Sequence, residues 1–331
     1  MKLTEMKQVL AERDIQLTKA LGQNFLHDAN QLGRILAAAE LKRADRVLEV
    51  GPGLGPLTEM LMERVREVLA IEKDARLVEV LKRRFKEGEA SRLSATEGGT
   101  GETPVLRLVH DDVLDYLGRE ARDWSEWKMV ANLPYSVASS ILVELAQWPG
   151  GRASPPAHTS PGDGAREDTR HPEQPGPSLR PARGPERMVA TLQLEVGMRL
   201  LAKPGAPDYG VFTLLIQLNY DPQAWFKIPA SCFFPEPDVD SACVCLVRRE
   251  PPPLTDDQRR TYVQLVKRSF SQRRKMMIKL LKADWPEEGL TQAFERLNLS
   301  PRIRAEEVSL EQFTQLARTL HGQSIRRSSG R

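Results

Sequence analysis

The sequence predicts an α/β fold in which an open, doubly wound sheet precedes a small all-helical domain. Three observations predict it. A glycine-rich turn, Glu49-Val50-Gly51-Pro52-Gly53-Leu54-Gly55, joins an apolar run to a stretch with helical spacing, and such turns are where open α/β sheets bind ligands. Short β-branched runs then alternate with amphipathic stretches as far as Val247. Beyond Pro251-Pro252-Pro253 only helical periodicity remains. The chain therefore divides into a ligand-binding domain, residues 1–250, and a helical domain, residues 251–331.

In order, Met1–Ala20 reads as a helix, and Leu21-Gly22-Gln23-Asn24-Phe25-Leu26 as a loop with two amides beside an aromatic. Asn30–Leu41 is an amphipathic helix. Arg46-Val47-Leu48 is a buried strand, and Pro56–Val65 a helix with Leu57, Met60, Leu61 and Val65 on one face. Val68–Ile71 is a strand ending at Glu72, followed by the helix Ala75–Phe85 and a polar surface loop, Glu87–Pro104. Val105–Val109 and Lys128–Ala131 are further strands, the latter running into Asn132-Leu133-Pro134-Tyr135. Ser139–Trp148 is a helix. Pro149–Pro185 holds nine prolines and six glycines with Leu179 as its one sizeable aliphatic residue, too little apolar surface to offset its ordering entropy. It reads as a disordered insertion. Arg187–Gln193 is a strand, and Glu195–Leu201 and Val211–Leu218 are helices. The strands Ala224–Ile228 and Ala242–Val247 flank a proline-stiffened loop, Phe233–Ser241. The tail Gln323–Arg331 reads as disordered.

The chemistry concentrates in a few stretches. Gly51, Gly53 and Gly55 alternate, unlike the Gly-x-Gly-x-x-Gly of dinucleotide enzymes. The acidic Glu49 directly before them would repel a pyrophosphate and suit a cationic ligand such as S-adenosylmethionine. Glu72, about 20 residues on, stands where a ribose diol is bonded, with Asp74 competing. An acid after Val105–Val109 would accept from an adenine amine. Asp112 is favoured over Asp111, although capping the next helix would equally explain it. At Asn132-Leu133-Pro134-Tyr135, the Asn132 oxygen and the Leu133 carbonyl can accept from the two N–H bonds of an exocyclic amine. Pro134 aims that carbonyl through its fixed φ. Tyr135 offers a face to a flipped base, and Phe233 or Phe234 could cover the other side or simply anchor its loop.

Composition excludes little. Hydrophobic residues are 40%, charged residues 28%, and the net charge is only +3. No apolar run approaches a membrane span and no signal sequence is expected, so a cytoplasmic protein is expected. Cys232, Cys243 and Cys245 make no disulfide framework, and the five histidines have no metal-ligand spacing. Arg259–Lys282, however, contains nine Lys or Arg and no acid, a footprint for a polyanion on a helix.

Four of these stretches occur in one order: Gly22–Leu26, Glu49–Gly55, Asn132–Tyr135 and Phe233–Ser241. That set closely resembles the KsgA (RsmA) rRNA adenine dimethyltransferases, over most of Lys19–Leu281 outside the loop Glu87–Pro104 and the insertion Pro149–Pro185. The resemblance implies a Rossmann-like S-adenosylmethionine-dependent methyltransferase sheet with a C-terminal helical domain. It implies dimethylation of two adjacent adenosines in the 3'-terminal hairpin of 16S rRNA, in an immature small subunit. The cofactor set it implies is Gln23, Asn24, Leu26, Glu49, Gly51, Gly53, Glu72, Asp112 and Asn132. The base site is Asn132, Leu133, Pro134, Tyr135 and Phe233, and the RNA-binding set is Arg268, Arg273, Arg274 and Lys275. No metal is implied, and a monomer is expected. Leu194 departs from the pattern, standing where a basic residue is expected. The alternatives are the related large-subunit methyltransferases of antibiotic resistance, a ribosome-assembly factor with little catalysis and, disfavoured by the glycine spacing, a nicotinamide oxidoreductase.

Overall fold

The computed structural model describes residues 1–15, 23–95, 104–119, 122–147, 184–272 and 274–324. The segment read as an insertion lies almost wholly outside them, as does Arg273. A seven-stranded sheet organises the first part. Its strands are β2 (Arg46–Val50), β3 (Glu67–Glu72), β4 (Val105–His110), β5 (Trp127–Asn132), β6 (Arg187–Gln193), β7 (Tyr220–Ile228) and β9 (Ser241–Arg248), in the order β4-β3-β2-β5-β6-β9-β7. The first five are parallel, and β9 pairs antiparallel with both β6 and β7. The order reverses beside β2, which leaves a crevice at the carboxyl ends of β2 and β5.

Both faces of the sheet are covered, which is why its strands read as apolar runs rather than alternations. Helices α5 (Val113–Arg119) and α6 (Ala138–Ala146) pack on one face, through Leu117, Ile141 and Leu142 against Leu48, Met129 and Ala190. Helices α2 (Ala29–Ala38) and α3 (Pro56–Met62) pack on the other, through Ile35 and Leu61 against Val47, Val68 and Val130. α2 starts where the Asp28 carboxylate accepts the Gln31 N–H at 2.9 Å. Helix α1 spans Leu3–Glu12, and α4 runs from Ala75 to Ala95, well into the stretch expected as loop. Edge strand β7 begins four residues earlier than expected. It tolerates Pro222 because a register shift falls between Pro222 and Ala224, the place for a proline in an edge strand.

Helices α9 (Asp256–Ser269), α10 (Met277–Leu281), α11 (Glu287–Arg296) and α12 (Leu310–Leu320) follow. Their core is not theirs alone. Leu214, Leu215 and Leu218, in and just after α8 (Val211–Gln217), join Tyr262, Leu265, Trp285, Phe294 and Phe313 in one buried cluster. The basic stretch expected as one helix is two. After Ser269 the chain turns, and the Met277 N–H donates to the Ile303 carbonyl at 3.0 Å instead of continuing a helical ladder.

One pairing was not expected. Two-residue strands β1 (Phe25–Leu26) and β8 (Phe233–Phe234) form an antiparallel ribbon, with Phe25 opposite Phe234 and Leu26 opposite Phe233. It ties the amide-bearing loop to the proline loop, far apart in sequence.

Candidate active site

The strand β2 ends in a turn where Gly51, Gly53 and Gly55 all have positive φ, +65°, +61° and +81°. Side chains rarely adopt such angles. A Cβ on Gly53 would stand 2.6 Å from the Phe25 ring, and one on Gly51 would stand 3.3 Å from Pro134. Three stretches that are distant in sequence therefore close on one point. The crevice there has a volume of about 240 Å³. Of the expected residues, Gln23, Asn24, Gly51, Gly53, Glu72, Asp112, Asn132, Leu133 and Pro134 line it.

Five acids surround the turn. Glu72 is 7% exposed, and its two oxygens accept the Gly53 N–H at 3.1 Å and the Asp74 N–H at 2.9 Å. Burial raises its pKa above the ordinary value, against the opposing effect of those bonds. Asp74, its competitor, is committed elsewhere. Arg76 grips it at 2.6 Å, Gln23 donates to it at 3.0 Å, and chiefly Arg76 holds its pKa down at about 2. Asp112 caps α5 through the Leu114 N–H at 2.8 Å and pairs with Lys73 at 2.8 Å. The capping role and the cleft position hold together. Asp111 also lines the cleft and is paired with Arg119. Glu49 does not line the crevice. It is 1% exposed beneath the turn, and burial pushes its pKa up to about 8. The Thr58 hydroxyl beside it lowers the value, yet neither Glu49 Oε2 nor Thr58 Oγ1 makes a hydrogen bond of ordinary geometry.

At the end of β5 the Asn132 amide is oriented by its nitrogen, which donates to the Asn24 carbonyl at 2.8 Å. Its Oδ1 is then left buried without a partner. The Leu133 N–H donates to Thr191 O at 3.0 Å and the Val137 N–H to Pro134 O at 3.1 Å, closing the turn. Tyr135 is half-buried and its hydroxyl lies 2.6 Å from Ser241 Oγ. Orphaned acceptors, buried acids and bare glycine backbone suit a ligand rich in N–H, O–H and positive charge. Among the described residues the one cation in the cleft lining, Lys73, is already paired with Asp112.

Comparison with known proteins decides the family. The model of the ribosomal RNA adenine dimethylase family matches residues 15–321. The chain belongs to that family. It is 32% identical to ribosomal RNA small subunit methyltransferase A of Geobacillus thermodenitrificans, over 95% of this chain and 94% of that one. The proteins of the same name from Leuconostoc mesenteroides and Gloeobacter violaceus are 34% and 35% identical, over 97% and 91% of this chain and 96% and 93% of theirs. Among solved structures, a dimethyladenosine transferase from Plasmodium falciparum superposes with a TM-score of 0.65 over 91% of this chain and all of that one, at 21% identity. The 23S rRNA methyltransferase ErmE superposes at 0.58 over 89% of this chain and 99% of that one, at 23% identity. These two show the fold. The chain is thus an rRNA adenine dimethyltransferase, and the crevice is this dimethylase's candidate active site.

Several expected residues of the dimethylase stand elsewhere. Leu26 is buried beside Leu32 and Ile35 and does not reach the crevice. Phe233 is 2% exposed in that same core, so in this structure it anchors its loop and presents no face to a base. Its neighbour Phe234 is the half-buried one, with Lys7 Nζ 5.1 Å from its ring centre. Arg268 is paired with the buried Asp284, a structural partner rather than a phosphate. Arg273 lies outside the described residues, and Arg274 and Lys275 are exposed in the turn between α9 and α10. Sequence reasoning gave no role to Phe25, Lys73 or Ser241. Phe25 and Ser241 fell inside stretches already singled out. Lys73 stands between Glu72 and Asp74, and nothing in its spacing marked it.

Proposed function

We propose that the chain uses S-adenosylmethionine to dimethylate the exocyclic amines of two adjacent adenosines in the 3'-terminal hairpin of 16S rRNA, acting as a cytoplasmic monomer on an immature small subunit. The near-full-length relatives named for the small subunit support that choice of RNA. The observation that carries the chemistry is the Asn132 amide, tied at its nitrogen and free at a buried oxygen.

Bound in the crevice, S-adenosylmethionine supplies an electrophilic methyl group. Glu72 would hold the ribose hydroxyls, Asp112 the adenine amine, and Gln23 and Asn24 the rim. Gly51 and Gly53 let the ligand lie against backbone, and Glu49, buried beneath the turn with its pKa raised to about 8, supports that turn from below rather than facing the ligand with a charge. The amine of the target adenosine is a poor nucleophile because its lone pair is delocalised into the ring. Asn132 Oδ1 and the Leu133 carbonyl accept from its two N–H bonds and draw the nitrogen toward tetrahedral geometry, freeing that lone pair. The Asn132 nitrogen is tied to the Asn24 carbonyl, which supports an oxygen oriented before the reaction, and an acceptor oriented in advance is an effective one. Tyr135 holds the flipped base by stacking.

Asn132→Ala tests this reading. The lost acceptor acts on the reacting amine, so turnover falls by 100-fold or more on the order-of-magnitude scale of a removed transition-state hydrogen bond. Binding of the immature subunit stays within about twofold of wild type. Mass spectrometry of the hairpin after incubation with labelled S-adenosylmethionine reads the outcome, and near-normal dimethylation by the variant would overturn it. Methylation of large-subunit rRNA instead would move the chain to the resistance-type reading.

A further inference from the structure

Pro134, Ser136 and Val137 line the crevice and Tyr135, between them in sequence, does not. Its hydroxyl meets Ser241 Oγ at 2.6 Å. Ser241 is completely buried and is the first residue of β9, opposite Gln193 of β6 and Ile228 of β7. A side chain this short on a residue held between two strands has almost no freedom. The residue before it fixes the incoming loop as well. Asp240 accepts the Ala230 N–H at 2.9 Å and Lys227 Nζ at 2.6 Å through its carboxylate, and the Leu194 N–H at 2.9 Å through its carbonyl.

The tyrosine is therefore held at both ends. The turn set by Pro134 fixes its backbone, and Ser241 fixes its hydroxyl. A tyrosine ring has two torsions, and constraining both ends leaves one orientation of the ring. Ser241 also heads the apolar run Ala242-Cys243-Val244-Cys245 of β9. A buried hydroxyl there is costly unless bonded, and its partner is the residue read as the stacking face. Burial raises the Tyr135 pKa above its ordinary value, so the phenol keeps its proton for this bond at neutral pH.

We infer that Ser241 is a positioning residue for methyl transfer: through its hydrogen bond to Tyr135 it sets the aromatic face on which the target adenine stacks, linking the Phe233–Ser241 loop to the chemistry at Asn132. The inference rests on the reading of Tyr135 as that face.

A double-mutant cycle on the full-length enzyme with immature small subunits tests it. Ser241→Ala and Tyr135→Phe each remove one half of the same bond. Each lowers kcat about tenfold, the scale of a slightly misplaced reactant, while KM for the subunit and S-adenosylmethionine affinity by calorimetry stay within about twofold. The double variant is no slower than either single one, as expected for two residues acting through one contact. Tyr135→Ala, which removes the ring, is slower still. A kcat for Ser241→Ala within twofold of wild type, or losses that multiply in the double variant, would overturn the inference. So would a fall in melting temperature with kcat unchanged, which is the signature of a purely structural serine. If Ser241→Ala does not fold, Tyr135→Phe carries the test from the half-buried side. If Tyr135→Ala itself methylates normally, the stacking reading has failed; a loss in Tyr135→Ala with none in Ser241→Ala and Tyr135→Phe defeats this inference alone.

Discussion

Glu49 lies between Leu48 and Val50, whose side chains point into one face of the sheet core, so its own side chain points to the other, toward α3 and Thr58. With Oε2 unpartnered and the side chain 1% exposed, the carboxyl is driven toward its neutral form. Burial, reinforced by the nearby Glu72, moves its pKa from 4.5 to about 8. Between those values the folded chain keeps a proton that the unfolded chain has released. This contribution to stability is therefore complete below about pH 4.5, falls as pH rises, and is gone past about pH 8. Asp74, held down at about 2, acts with the opposite sign and only in more acidic solution. Each unit is worth about 1.4 kcal/mol, so the loss is on the order of a few kcal/mol. Denaturant unfolding at pH 5.5 and 8.5 measures it: the wild type weakens across that interval, and Glu49→Gln, which has no proton to release, weakens much less. Equal pH dependence in both proteins would show that Glu49 ionises freely in the fold. The position of this acid was readable in the sequence because it directly precedes the glycines. Its depth was not, because burial depends on α3 and the sheet closing over it.

At the scale of elements, the alternation of strands and helices was readable because each carries its own period. Arg187–Gln193 appears with the bounds expected of it. The β1–β8 ribbon was not readable. Two-residue strands have no period, and a pairing between Phe25 and Phe234 leaves no local trace. The broken basic helix was hidden for a related reason, since the bond from Met277 to Ile303 is tertiary. The ribbon matters because it sets Phe25 against the glycine turn. Phe25 is 7% exposed and backed by Met6, Leu10, Leu54 and Leu77, so it cannot swing away from a new atom. Gly53→Ala would add backbone strain at φ +61° and a Cβ at 2.6 Å from that ring. Gly205→Ala, at φ +85° with nothing within 4 Å, isolates the strain, about 1–2 kcal/mol. Gly53→Ala should therefore lower the melting temperature more than Gly205→Ala. It alone should weaken S-adenosylmethionine binding, by about tenfold or more, because the Gly53 N–H is also a partner of Glu72. Thermal melts and calorimetry on the two variants check this. Equal effects would mean that the ribbon yields.

At the scale of the molecule, the helical part shares its core with Leu214 and Leu215 of α8, and Val143 of α6 packs against both that core and the sheet core. A phosphate-binding surface on these helices would thus be carried rigidly with the catalytic sheet. The nine positive charges of Arg259–Lys282 suggested such a surface, but a count along the chain cannot see acids brought in from either side. Asp256, Asp257, Asp284 and Glu287 pair with Arg259, Arg260, Arg268 and Lys282. Among the described residues Lys267, Arg274, Lys275 and Lys279 have no such partner, and all four are exposed. They lie at the end of α9, in the turn and on α10, so the candidate surface is a basic corner rather than one helix face. Each phosphate contact releases counterions and adds about 0.7–0.9 to the salt slope of affinity. Replacing Lys267, Arg274 and Lys275 with Gln should lower that slope by about two units and leave S-adenosylmethionine affinity unchanged, since the crevice is formed by other elements. Arg268→Gln should behave differently. It strands the 2%-exposed Asp284 side chain without its cation, so the melting temperature should fall with the slope intact. Fluorescence titrations of a small-subunit rRNA hairpin at several salt concentrations, set beside melting curves, separate the two classes. A slope unchanged in the triple variant would put the phosphate contacts on the catalytic sheet, and a slope lowered by Arg268→Gln would restore that residue to the RNA surface.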